Sequence, residues 1–349
     1  MNEAFKQLLN PLYRQIEMAN ESYLYFGGTA YLGIPQHQQF QELYIEGIKR
    51  FGLNNGTSRN NNVQLGIYHQ AEEFAAAYFG ANASLITSSG YLSAQLSVKC
   101  LSALGEVRYA PATHPALWLH QPPQTVGSFD VWATNLIIEI NQSKLNTWVI
   151  ISNSLNNLYP EQYDFSFIER IDQQKKIILI VDDSHGIGVI NNGKGVYATL
   201  PKLKNVETVV IASLAKALGV DAGLVLGSGD IISLLKQTNE FLGASPPAAA
   251  GLYAFMNATI IYEQELNQLK ILTNRLSSAL KRENSWSFTS NFPVFLSNTA
   301  AIEERLFQKG ILMSSFAYPD KDGTLINRIV LSSWHTLADI EELILALAK

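Results

Sequence analysis

The chain has 349 residues, 47% of them hydrophobic and 16% charged, a composition ordinary for a globular protein and a length that suits two domains or one large one with an appendage. A net charge of −5 and the lack of any Lys/Arg run argue against nucleic acid or an anionic membrane as partner, since both need a basic face. One cysteine, Cys100, excludes an intramolecular disulfide and a multi-cysteine metal site, and no metal is expected. In "LSVKCLSAL" it reads as a buried core thiol.

The opening "MNEAFKQLLNPLYRQ" lacks the apolar core of a signal peptide. No window reaches the roughly 18 apolar residues of a membrane span, so the cytoplasm is the expected location. Residues 1–25 read as an amphipathic helix and a connector, followed by a helix through "HQQFQELYIEGIKRFG" and a loop at "LNNGTSRNNN". The helix "YHQAEEFAAAYFG" leads into the strand "ASLITSS", and another helix starts after Gly90. "TWVIIS", "KIILIVDD" and "ETVVIAS" are continuous in apolar or β-branched residues, as strands buried on both faces of a parallel sheet are. A long helical stretch follows Pro247 and reaches about Lys281. Next come "FPVFLS", a helix ending near Gly310, "ILMSSF", "RIVLSS" and a last helix from about Leu337. The spacing predicts an N-terminal helical segment over 1–50, a large domain over 51–245 and a small α/β domain over 246–349.

Two stretches carry chemistry. In "IILIVDDSHGIGVINNGKG", Asp182 and Asp183 stand where an apolar strand ends, and His185 follows. Ligands of open α/β sheets sit at the carboxyl ends of strands, although strand-end aspartates also cap turns. In "ETVVIASLAKALGVDAGLVLGS", Lys216 lies just past another apolar strand, with no other charge until Asp221. Apolar surroundings disfavour the ammonium and make the amine nucleophilic, unless the side chain snorkels to water. Together, an aspartate at one strand end and a lysine at another suit pyridoxal phosphate (PLP). The carboxylate keeps the pyridine nitrogen protonated, and the lysine attacks the aldehyde. "ITSSGYLSAQ" offers an anion site, because Ser88, Ser89 and Gly90 lie between a strand and a helix N-terminus.

Along most of its length, from about Tyr25, the chain resembles the α-oxoamine synthases, PLP enzymes of the aspartate-aminotransferase fold. "FGGTAYLGI" is similar to that family's "SNDYLGL", "VDDSHGIGVINNGKG" to "VDEAHSTGVLG..GRG", and "SLAKALG" to "TLSKALG". "RIVLSSWHTLADIEELI" is similar to "RLSLTAAHT.EDID.LL". The resemblance implies a fold type I domain with a mostly parallel, seven-stranded-type sheet and a smaller C-terminal α/β domain. It makes Lys216 the Schiff-base lysine, Asp182 the partner of the pyridine nitrogen and His185 the donor to the ring's phenolic oxygen. It places His114, from "YAPATHPALW", over the ring, and Ser89, Gly90, Tyr91 and Ser213 around the phosphate. Arg328 becomes the anchor of the amino-acid carboxylate.

The implied reaction joins an amino acid to an acyl-CoA or acyl-carrier thioester with loss of carbon dioxide, in a homodimer with shared sites. An aminotransferase on the same fold would use the same cofactor residues. The chain departs from the family pattern at Thr29, Ala30, Ala110, Asn157 and Gly243. These departures bear on the substrate and leave Asp182, His185 and Lys216 untouched.

Overall fold

Apolar runs without polar alternation, such as 177–181, need cover on both faces. In the computed structural model, which describes residues 3–18, 20–156, 158–318 and 322–348, they find it inside a central sheet. Among the described residues that sheet has six strands, ordered Ala83–Thr87, Gly223–Gly227, Val206–Ser213, Lys176–Asp182, Thr147–Asn153 and Glu106–Tyr109. The last four run parallel, and Gly223–Gly227 is antiparallel to both its neighbours. Alternate residues feed two apolar cores, Leu179 and Val181 on one face and Ile178 and Ile180 on the other. Cys100 is partly buried against the second core.

The α/β class stands, with six strands in place of the expected seven. Past Glu106–Tyr109 and a short turn at Pro115–Leu117, the chain runs irregularly to the helix Phe129–Gln142. Pro122 and Pro123 in that stretch have no N–H to extend a ladder. Register places Asn153 beside Asp182, and Asp182 beside Ile211. The carboxyl ends of three parallel strands therefore lie side by side, where a ligand of such a sheet binds.

The second six-stranded sheet runs Gln15–Met18, Glu21–Phe26, Ile311–Tyr318, Thr324–Val330, Val294–Ser297 and Trp286–Ser287. Its first two strands correct the expected N-terminal helix. Residues 3–6 make only a short 3-10 turn, and the chain then forms two antiparallel strands through Asn20, whose φ is 67°. Pro11 interrupts helical hydrogen bonding, and burial of Ile16, Tyr23, Leu24 and Phe26 in the sheet outweighs helical spacing. Glu21–Phe26 pairs parallel with Ile311–Tyr318, so the start of the chain belongs to the sheet formed by its C-terminal part. The helical stretch after Pro247 is divided at Ala258 into Ala249–Asn257 and Thr259–Leu280. No helix among the described residues is long and apolar enough to cross a membrane.

Candidate active site

Strand alternation sends the neighbouring carboxylates Asp182 and Asp183 to opposite sides. Asp183 turns inward and is buried. It accepts hydrogen bonds from Ser154 Oγ (2.6 Å) and the Val196 backbone N–H (2.8 Å). The loop between them wraps closely around this carboxylate. A Cβ on Gly186 would stand 2.0 Å from its Oδ1, and one on Gly195 2.1 Å from its Oδ2. Gly195 also has φ 67°, so it needs glycine on both counts. Asp182 faces the strand-end cleft and accepts from the Ser184 N–H at 2.8 Å.

Burial lifts the Asp183 carboxyl to about 7, against the pull of its two donors. A group whose folded pKa is raised above its unfolded value stabilises the fold below the unfolded value, and that contribution fades as pH rises through the folded one. The window therefore runs from about 4 to about 7. Relative to Asp183→Asn, the native chain should lose about 1.4 kcal/mol per pH unit across that window. Urea unfolding of both proteins at pH 5 and pH 7 checks this, since any constant packing difference cancels. An unchanged gap between the two would refute it.

Lys216 lies in the connection between the strands Val206–Ser213 and Gly223–Gly227, closed by Leu214 N–H donating to Ala222 O at 2.9 Å. Burial lowers its pKa, and the Asp182 carboxylate works in the opposite direction. His114 caps the short turn at Pro115–Leu117, and its backbone N–H donates to Asn153 Oδ1 at 3.1 Å. Asn153 in turn donates to Ala112 O at 2.7 Å, which fixes this turn to the end of the neighbouring strand. Burial lowers the His114 pKa, Asp182 raises it and Lys216 lowers it. Asp182, Lys216 and His114 thus share one partly buried electrostatic neighbourhood.

His185 joins them, and its imidazole Nδ1 lies 2.7 Å from the Tyr31 hydroxyl. Burial depresses its pKa strongly, helped by the charges of Lys216, Arg328 and His114. Arg328, on the strand Thr324–Val330, has its guanidinium 5.1 Å from the centre of the Phe316 ring. Its charge also acts on Tyr25 and Tyr31, so the small sheet presents this arginine toward the same cleft. His335 serves the fold instead. It is buried, with Nε2 2.9 Å from Tyr25 O and its ring stacked on Phe26 at 4.5 Å.

Ser89 caps the helix Gly90–Ser102 and accepts from Leu92 N–H at 3.1 Å. Gly90 sits so close to Ser213 that a Cβ would come within 2.5 Å of the serine Cβ. The helix N-terminus and the Ser213 strand end therefore form one cradle beside the Lys216 turn, suited to an anion. Tyr91 points outward and is 64% exposed, so only its backbone can belong to this cradle. A Cβ on Gly243 would meet nothing within 4 Å, so packing does not demand glycine there. Asn157 lies outside the described residues. Among the described residues no group of three or more His, Cys, Asp or Glu gathers as a metal site. Sequence reasoning did not single out Tyr31, Asn153 or Ser154. Only the "TAYLGI" motif hinted at the first.

The family model described as aminotransferase class I and II matches residues 24–347. The 8-amino-7-oxononanoate synthase of Saccharophagus degradans is 24% identical over 351 residues, covering 96% of this chain and 88% of that protein. The fold matches the 8-amino-7-oxononanoate synthase of Francisella tularensis with a TM-score of 0.72 at 18% identity, over 93% of this chain and 97% of that one. It matches the serine palmitoyltransferase of Sphingomonas wittichii with a TM-score of 0.79 at 13% identity, over 97% and 89% of the two chains.

Proposed function

The chain belongs to the aminotransferase class I and II family, and on that premise we propose that it is a PLP-dependent acyltransferase like the 8-amino-7-oxononanoate synthases it resembles. It condenses an amino acid with an acyl-CoA or acyl-carrier thioester and releases carbon dioxide. The observation that carries this reading is the partly buried Lys216, in the field of Asp182 and His114, beside the cradle of Ser89, Gly90 and Ser213. These residues fit the cofactor. The cradle suits its phosphate, the Asp182 carboxylate its ring nitrogen and the Lys216 amine its aldehyde. When bound, PLP supplies a ring that accepts the negative charge left on carbon when a proton or carbon dioxide departs.

The chain's own residues supply the rest. Lys216, whose ammonium form burial disfavours, takes and returns the proton at the substrate's α-carbon. Asp182 holds a proton on the ring nitrogen by charge. His114 limits access to one face. Arg328 binds the amino-acid carboxylate through paired N–H groups. The resemblance supports a homodimer in which each subunit completes the other's site.

Arg328→Lys should raise the KM for the amino acid on the order of 10–100-fold, because an ammonium cannot make the paired bonds. Affinity for PLP, titrated by absorbance, should stay unchanged. An equal loss of both would show that Arg328 supports the fold and not the substrate. The reaction itself is tested by supplying small amino acids with acyl thioesters of graded chain length and measuring thiol release. If no thioester releases thiol while a keto acid supports turnover, the acyltransferase reading fails and an aminotransferase replaces it.

A further inference from the structure

We infer that Tyr31 fixes the tautomer of His185, so that the imidazole accepts at Nδ1 and presents an N–H at Nε2 to the cleft between Asp182 and Lys216. The identity of the group that meets Nε2–H rests on the cofactor reading, whereas the tautomer does not.

The contact between Tyr31 Oη and His185 Nδ1, at 2.7 Å, is the one hydrogen bond of either side chain among the described residues. A neutral imidazole has one donor and one acceptor nitrogen, and a phenol has one proton to give. Tyr31 is only 1% exposed, so a phenol proton pointed anywhere but Nδ1 would be buried without an acceptor. Donation by Nδ1–H to the phenol oxygen would leave it so. Two charge states support the same direction. Burial and the charges of Lys216, Arg328 and His114 keep the imidazole neutral, and burial keeps the phenol protonated. With Nδ1 occupied as an acceptor, the ring's single proton resides on Nε2.

Tyr31 is itself held firmly. Its N–H donates to Thr29 O at 2.8 Å, its carbonyl accepts from Ser333 N–H at 2.9 Å, and its ring lies 5.9 Å from that of Phe292. Ser333 lies three residues past the end of the strand that carries Arg328. The sheet that presents the arginine thus also sets the donor in the cofactor cleft. The consequence is chemical. An Nε2–H stabilises an ionised oxygen on the bound ring, whereas the other tautomer would set a lone pair against it. Tyr31 is in this sense a positioning residue, acting through His185.

The test is nitrogen NMR of apoprotein labelled at its six histidines, with the His185 signals assigned by their loss in His185→Gln. We expect Nδ1 of the native protein to resonate as a bare nitrogen and Nε2 as a protonated one. In Tyr31→Phe, which removes only the hydroxyl, the two signals should move toward the averaged shifts of a mixed tautomer. In the PLP-loaded protein, the pH midpoint of the visible absorbance should rise by on the order of half to one unit in Tyr31→Phe. A protonated Nδ1 in the native apoprotein overturns the inference, and so does a Tyr31→Phe protein whose His185 signals and absorbance midpoint both stay in place. Failure of the protein to take up PLP would sink the cofactor reading and leave the apoprotein result standing.

Discussion

Replacing Lys216 by alanine should lower kcat/KM on the order of 10⁴-fold, the upper range for losing a positioned proton-transfer base. Three features make the effect large. The side chain is partly buried, its ammonium is disfavoured, and its charge acts on His114 as well as meeting that of Asp182. Stability should not suffer, because removing a partly buried amine relieves its desolvation. The rate is read from thiol release, and cofactor attachment from borohydride reduction followed by mass mapping. In the native protein the reduced cofactor should lie on Lys216. Attachment to another lysine, or a Lys216→Ala enzyme within tenfold of native, would overturn the assignment.

Asp182→Asn should lower kcat on the order of 10²–10³-fold, the range seen when one preorganised electrostatic partner is removed. The native carboxylate favours a protonated ring nitrogen, and a neutral amide does not. Loss of this charge-assisted bond weakens the bound state by about 1.5–3 kcal/mol. The kinetic loss exceeds that, because negative charge is greatest in the transition state. The backbone bond from Ser184 N–H can persist, since the amide oxygen accepts as the carboxylate did. Circular dichroism should therefore report a native fold while turnover collapses. Near-native turnover in the variant would remove Asp182 from the site.

The candidate site is legible in the sequence because its signals are local. An apolar run that stops at a polar residue marks a strand end, and Asp182, His185, Ser213 and Lys216 all stand at or just past such stops. The anion cradle is legible for the same reason, as a strand, two serines, a glycine and a helix in succession. What the tertiary structure alone decided rests on contacts between distant segments. Residues 15–18 and 21–26 become strands because Glu21–Phe26 pairs with both Gln15–Met18 and Ile311–Tyr318, which buries Ile16, Leu24 and Phe26 in a sheet that no local pattern announces. Asp182 and Asp183 are adjacent and chemically alike. Only Ser154 and the Val196 N–H, brought in by the folded loop, set one as the buried hub and leave the other for the cleft. The Tyr31–His185 bond spans 154 residues, and neither residue names the other in the sequence. Hydrophobic period and chain-breaking residues act within a few positions, so they locate elements and their ends. Hydrogen-bond partners and burial depend on how those elements pack, and that is where the roles of Asp183, Tyr31 and the N-terminal strands are settled.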